Sequence, residues 1–187
     1  MLSKPGEKRL ANSRHIYILD ATSIIHFAKI QKLSLILRIC EARITREVYR
    51  ETVEQGKEKP DAIIIRDATE RGEPEIYDVH DRRLVSTFLR HPEIHLGEAE
   101  TLAAAKELNA LAVVDEAEAR TIAKTYGAQT RTGTLYLLFK LLSLKLIETT
   151  ECLRILDELV ESGLYIDSHT LLKARQKIEE KLTRQTC

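Results

Sequence analysis

HIYILDATSII, residues 15–25, sets the pattern from which the rest of the chain can be read. The run His15–Asp20 has the apolar, β-rich character of a buried strand, and Thr22 or Ser23 can cap the apolar helix that follows. Strand, acid, helix is the unit. It recurs at residues 42–47, ARITRE, where a brief strand Ala42–Ile44 leads to Thr45 and Glu47 and then to a polar helix over Val48–Gly56. It recurs again in LAVVDEAEARTIAKTYG, residues 111–127. There the run Leu111–Val114 ends directly in Asp115 and Glu116, and a helix over Glu118–Tyr126 is closed by Gly127.

The segments between these units fill out an alternating order. Lys32–Cys40 reads as a helix. Pro60 opens another through about Arg71, and Gly72 ends it. Glu75–Val79 is an edge strand or an excursion before a helix over Arg82–Arg90, and this middle stretch is expected to be an insertion or lid. Gly97 introduces an Ala-rich helix, Glu98–Leu108. A short strand near Ala128–Arg131 precedes Gly133 and the apolar helix Leu135–Leu146. Beyond Ile147 the character changes to two amphipathic helices, Glu151–Glu161 and His169–Leu182, separated by Gly163, which predict a helical hairpin packed on the domain. The expected organisation is a polar leader over residues 1–14, an α/β domain over 15–150 and a helical appendage over 151–187.

Alternating strands and helices predict parallel βαβ units with right-handed crossovers, which bring the carboxyl ends of the strands to one rim. Ligands bind outside that rim in open α/β sheets. Asp20 and Asp115 end strands, Glu47 lies just past one, and Glu98 opens the helix before another, so all four can meet there. Each acid alone is an ordinary helix-start residue, worth ~0.3–1 kcal/mol through capping and the helix dipole. Four at successive rim positions are harder to assign to capping. Carboxylates gathered in one cleft repel unless a cation neutralises them, and Mg²⁺ or Mn²⁺ suits oxygen ligands. Such an ion activates water for attack at phosphorus.

Secondary candidates surround this set. Glu100 is two residues beyond Glu98, so on a helix the two side chains point roughly 200° apart and only one faces a metal. Glu116 can replace Asp115, the preferred of the pair, if the chain turns there. Ser23 can orient Asp20 or a water, or simply cap a helix. Arg82, Arg83, Arg120, Lys124 and Arg131 can contact phosphate near the rim, although helical charges are most often just solvated. His26, His80, His91 and His95 have no metal-binding spacing, and no nucleophile motif, GxxxxGK[ST] loop or GxGxxG fingerprint occurs.

Composition sets the outer bounds. The chain has 187 residues, 43% hydrophobic and 31% charged, with 7 Gly and 4 Pro, which suits one helix-rich globule with a short appendage. Lys plus Arg equals Asp plus Glu at 29 each, so any attraction to nucleic acid must come from a local patch. Cys40, Cys152 and Cys187 are too dispersed for a zinc pair or a disulfide framework. With a polar start and no apolar run of ~20 residues, the expectation is a soluble cytoplasmic protein.

HIYILDATSII with its nearby Ser23, then ITREV, GEAETLAAAKEL, LAVVDEAEARTIAKTYG and RTGTLYLLFKLLSLKLI together resemble the PIN-domain nucleases, within them the prokaryotic PIN-like group related to VapC toxins. The resemblance covers about residues 15–165 and is most specific over 97–147. It implies a three-layer α/β/α fold with a mostly parallel sheet, and a ribonuclease that uses Mg²⁺ or Mn²⁺ to cleave RNA through an activated water. It also implies a homodimer and, for toxin members, an antitoxin protein as partner. Carried over by position, the family's acids fall on Asp20, Glu47, Glu98, and Asp115 or Glu116. The chain departs in having Glu98 where many members have Asp, and Val114 where many have Thr or Ser. The competing reading is a weak or inactive PIN-like module that binds protein or RNA, with the C-terminal hairpin as its interface.

Overall fold

The computed structural model describes residues 15–185, with side chains as far as 180; the expected leader over 1–14 lies outside them. Five parallel strands form one sheet: β1 (Ile16–Leu19), β2 (Glu41–Thr45), β3 (Glu75–Tyr77), β4 (Leu111–Val114) and β5 (Gln129–Thr132), in the order β3-β2-β1-β4-β5. Ile18 pairs with Arg43 on one side and with Ala112 on the other. The chain winds from β1 outward to β3, then crosses back to β4. The point of reversal lies between β1 and β4, and open α/β sheets bind ligands outside the strand ends at such a point. Asp20 and Asp115 follow those two strands.

Side chains alternate across a strand, so each central strand feeds two cores. Tyr17, Leu19 and Val113 enter one, with Ile24, Phe27, Ile36, Ile65 and Leu138. Ile18, Ala112 and Val114 enter the other, with Phe88, Leu102 and Ala103. The first core is covered by α1 (Ala21–Lys29), α2 (Leu33–Leu37), α3 (Arg46–Tyr49), α4 (Pro60–Glu70), α8 (Gly133–Ser143), α9 (Thr149–Glu161) and α10 (Ser168–Gln185). The second is covered by α5 (Arg82–Phe88), α6 (Leu96–Glu107) and α7 (Ala117–Thr125). The result is a three-layer α/β/α sandwich. Burial on both faces explains why the strands read as continuous apolar runs rather than alternating ones.

In α6, Ala99, Ala103, Ala104 and Ala105 are all buried, and their small side chains let the helix lie close on the sheet. In α9, Cys152, Ile155, Leu156 and Leu159 are buried at the i, i+3, i+4, i+7 spacing of one helical face. These residues belong to the same core as the sheet, and each fully buried Leu or Ile contributes ~1.5–3 kcal/mol.

Two sequence expectations change. The stretch from Pro60 to Arg90 is not a lid: α4 packs on α1, β3 is the sheet's edge strand beside β2, and α5 lies on α6. The helix after β2 starts at Arg46 rather than Val48, because the Thr45 hydroxyl accepts the Val48 N–H at 3.3 Å and caps it there. That helix widens into a π turn over Arg50–Glu54, in which the Gln55 amide reaches the Arg50 carbonyl five residues back. Among the described residues, no helix is long and apolar enough to cross a membrane.

Candidate active site

Asp20 leaves β1 in an extended conformation and stands at the N-cap of α1, yet its side chain makes no capping hydrogen bond. Its residue is only 5% exposed. A buried carboxylate that does not cap its helix needs another explanation. It opens onto a cleft of about 610 Å³ lined by Asp20, Ala21, Thr22, Glu51, Glu93, His95, Gly97, Glu98, Glu116 and Glu118. Among the described residues, no lysine or arginine lines this cleft.

The charge state of the acids reports their crowding. Burial, then Glu98, then Asp115 and Glu51 push Asp20 up to about 7, against the pull of the Ala21 amide. Glu98 is likewise raised by burial and by Glu116 and Glu118, while the His95 amide and ring ease it. Glu51 is raised by burial, Glu47 and Glu98, with Arg50 and His95 opposing. Three desolvated carboxylates, each raised by burial and by neighbouring acids, form a setting that favours a cation.

α6 supplies Glu98 from its first turn, where the Glu98 carboxylate accepts the His95 N–H at 3.0 Å in a capping box. One oxygen is thereby oriented and the side chain still faces the cleft. Glu51 comes from the π turn, and its carboxylate rests on the first turn of α6. A Cβ at Gly97 would lie 2.8 Å from Glu51 Oε2, so only glycine leaves that oxygen room.

Asp115 is held from the side of β5. The Thr134 amide and hydroxyl donate to it at 3.0 and 2.7 Å, and the Ser23 hydroxyl at 3.3 Å. A Cβ at Gly133 would lie 2.1 Å from the Asp115 carboxyl carbon. Arg120 donates to the carbonyls of Val114 and Asp115 and so fixes the backbone that carries this acid. Gly133→Ala is therefore expected to displace Asp115 and to destabilise the protein by about 1–3 kcal/mol, measured by urea denaturation. An unchanged midpoint would mean that Asp115 has another place to go.

The sequence-derived candidates divide. Asp20, Glu98 and Glu116 line the cleft, and Asp115 lies beside it, close enough to raise Asp20. Glu47 does not line it. Its carboxylate pairs with Arg50, which holds it below the usual carboxylate range. Because the helix starts two residues earlier than expected, Glu47 falls in its first turn, and the residue that reaches the cleft is Glu51, one turn on. Ser23 serves Asp115 rather than Asp20. Glu100 faces away, bonded to Arg82 and to the Glu47 amide. Arg120 is occupied by the β4 carbonyls, Arg131 donates to its neighbour's Thr130 carbonyl, and Lys124 is exposed on α7.

Sequence reasoning missed Glu51, His95 and the Gly133–Thr134 pair. The i, i+4 spacing of Glu47 and Glu51 was the available signal, since such residues share a helix face. Among the described residues, no three His, Cys, Asp or Glu side chains converge tightly enough to chelate an ion unaided. The carboxylates of Asp20, Glu98, Glu51 and Asp115 offer oxygen donors, and among the described residues buried Asp20 has no cationic partner, so these acids fit a hard dication.

Comparison with known proteins places a family model, DUF3368, described as a PIN domain, over residues 16–180. No curated protein matches the chain.

Proposed function

Because the chain belongs to the PIN-domain family, whose members are typically nucleases that act on nucleic acids with divalent metal ions, we propose that it is a metal-dependent endoribonuclease. The observation that carries this reading is Asp20, a buried, uncapped carboxylate raised by Glu98, Asp115 and Glu51 at the switch point of a parallel sheet. Mg²⁺ or Mn²⁺, when bound, supplies Lewis-acid activation of water and neutralises charge at the scissile phosphate. Asp20, Glu98 and Asp115 would hold the ion, directly or through its waters, with Glu51 facing it through a water. Glu51 takes the role expected of Glu47, orienting the attacking water and receiving its proton. Glu116, exposed at the cleft mouth, can add a water-mediated contact.

Since the cleft itself is acidic, the RNA backbone must be gripped from its margins. Arg50 is about half exposed and Arg82 more than half; Arg50 neighbours Glu51 in the chain, and Arg82 bonds Glu100, which also accepts the Glu47 amide. Each uses part of a five-donor guanidinium on its own carboxylate and retains donors for phosphate. The resemblance to VapC toxins extends the reading to a cytoplasmic toxin, with an antitoxin protein and a second copy of the chain as partners.

Purified protein is expected to cleave single-stranded RNA with Mn²⁺ and to stop on addition of EDTA. An Asp20→Asn, Asp115→Asn double variant is expected to be inert, and equal cleavage by it would sink the assignment. The second reading, a binding module without activity, draws on the absence of a preformed chelating trio among the described residues. Calorimetry with no Mn²⁺ uptake, together with a stable complex to a partner protein, would favour it.

A further inference from the structure

Glu100 is a buried acid on α6 that the proposed chemistry leaves unused. Its residue is 4% exposed, a setting that a lone carboxylate tolerates poorly. Two donors compensate. Arg82 Nη1 reaches Oε1 at 2.6 Å from a side chain that is itself 62% exposed. The backbone N–H of Glu47 reaches Oε2 at 3.2 Å.

The second contact is the informative one. Glu47 lies in the first turn of α3, where backbone amides have no partner within the helix. Thr45 takes the amide of Val48, and Glu100 takes that of Glu47. The start of this helix is therefore fastened to α6 by a side chain belonging to α6. One turn later the same segment lays Glu51 against Gly97, again on α6 and next to Glu98. Between the two contacts lies the entry to the π turn, where a helix can change its winding and so the direction of Glu51.

We propose that Glu100 is a positioning residue: by accepting the Glu47 amide it fixes the segment 46–54 on α6 and holds Glu51 opposite Glu98. On α6 the two acids divide the work. Glu98 faces the cleft, and Glu100, about 200° around the helix, faces the element that carries the opposing acid. This inference rests on Glu51 belonging to the proposed metal site.

Substitution at Glu100 separates its hydrogen bond from its charge. Glu100→Ala removes the acceptor, whereas Glu100→Gln keeps an oxygen for the Glu47 amide and gives up the charge. In metal-free protein, hydrogen exchange of amides 47–54 is expected to quicken ~10-fold or more in Glu100→Ala, with strand amides unchanged, and to stay near wild type in Glu100→Gln. Mn²⁺ affinity, followed by the paramagnetic resonance of the free ion, is expected to fall ~10- to 100-fold in Glu100→Ala and less than ~3-fold in Glu100→Gln.

Unchanged exchange at 47–54 in Glu100→Ala would overturn the proposal, as would equal losses in the two variants. Should Glu100→Ala fail to fold, Arg82→Ala at an exposed guanidinium is expected to quicken the same amides by a smaller factor, and no change there would overturn it. A wild-type protein that takes up no Mn²⁺ would sink the metal reading, while the exchange arm would still decide the role of Glu100.

Discussion

Glu51→Gln is expected to lower Mn²⁺-dependent RNA cleavage by ~100-fold or more, and Glu47→Gln by less than ~3-fold. The two glutamates are one helical turn apart and identical in chemistry, so only their surroundings separate them. Glu47 is neutralised by Arg50 and held below the usual range. Glu51 is desolvated, raised by Glu98 among others, and fitted against Gly97 at the edge of the cleft. An acid already paired with a guanidinium has little free energy to gain from a cation, whereas a buried carboxylate beside other carboxylates has much to gain. Initial rates at saturating Mn²⁺ measure the difference. A large loss in Glu47→Gln with little in Glu51→Gln would return the role to Glu47.

The second large effect concerns stability without metal. Asp20 titrates near 7 in the folded protein and near 4 in an unfolded chain. Because the folded-state value is the higher, the fold favours the protonated carboxyl. Its stabilising contribution is complete below about pH 4 and is lost as pH rises to 7. A difference of ~3 units sets the loss at no more than about 4 kcal/mol. In EDTA, the wild-type protein is expected to be less stable at pH 8 than at pH 5 on account of this group. Asp20→Asn, which cannot ionise, is expected to be the more stable protein at pH 8 by about 1–4 kcal/mol, and to respond little to Mn²⁺, whereas the wild type gains stability on addition of the ion. Urea denaturation at the two pH values decides this. A variant less stable than wild type at pH 8 would mean that the carboxylate serves the fold rather than a ligand.

Much of the architecture was legible because burial on both faces leaves a strong trace. Ile16–Leu19 and Leu111–Val114 are short apolar runs that end in an acid, and that pattern alone implied parallel strands with acids at one edge. The helices whose apolar residues fall on one face, such as α9, were equally plain. The edge strand β3 was less so. It has a strand partner on one side only, and its three residues carry too little periodicity to tell a strand from an excursion.

At the site, legibility ended where side-chain direction began. Asp115 meets Thr134 because β4 and β5 run parallel and in register, which brings together residues 19 apart in sequence. Arg120 was a phosphate candidate by charge, but the Val114 and Asp115 carbonyls at the end of β4 claim it. Apolar run length and strand-end position are local properties, so the parallel α/β scaffold, the rim, and the presence there of Asp20, Glu98 and the Asp115–Glu116 pair could be read along the chain. That Glu51 rather than Glu47 faces the cleft emerges only from the folded chain. That choice depends on where Thr45 starts the helix, how the π turn rotates it, and which of two like acids finds an arginine and which finds the bare first turn of α6.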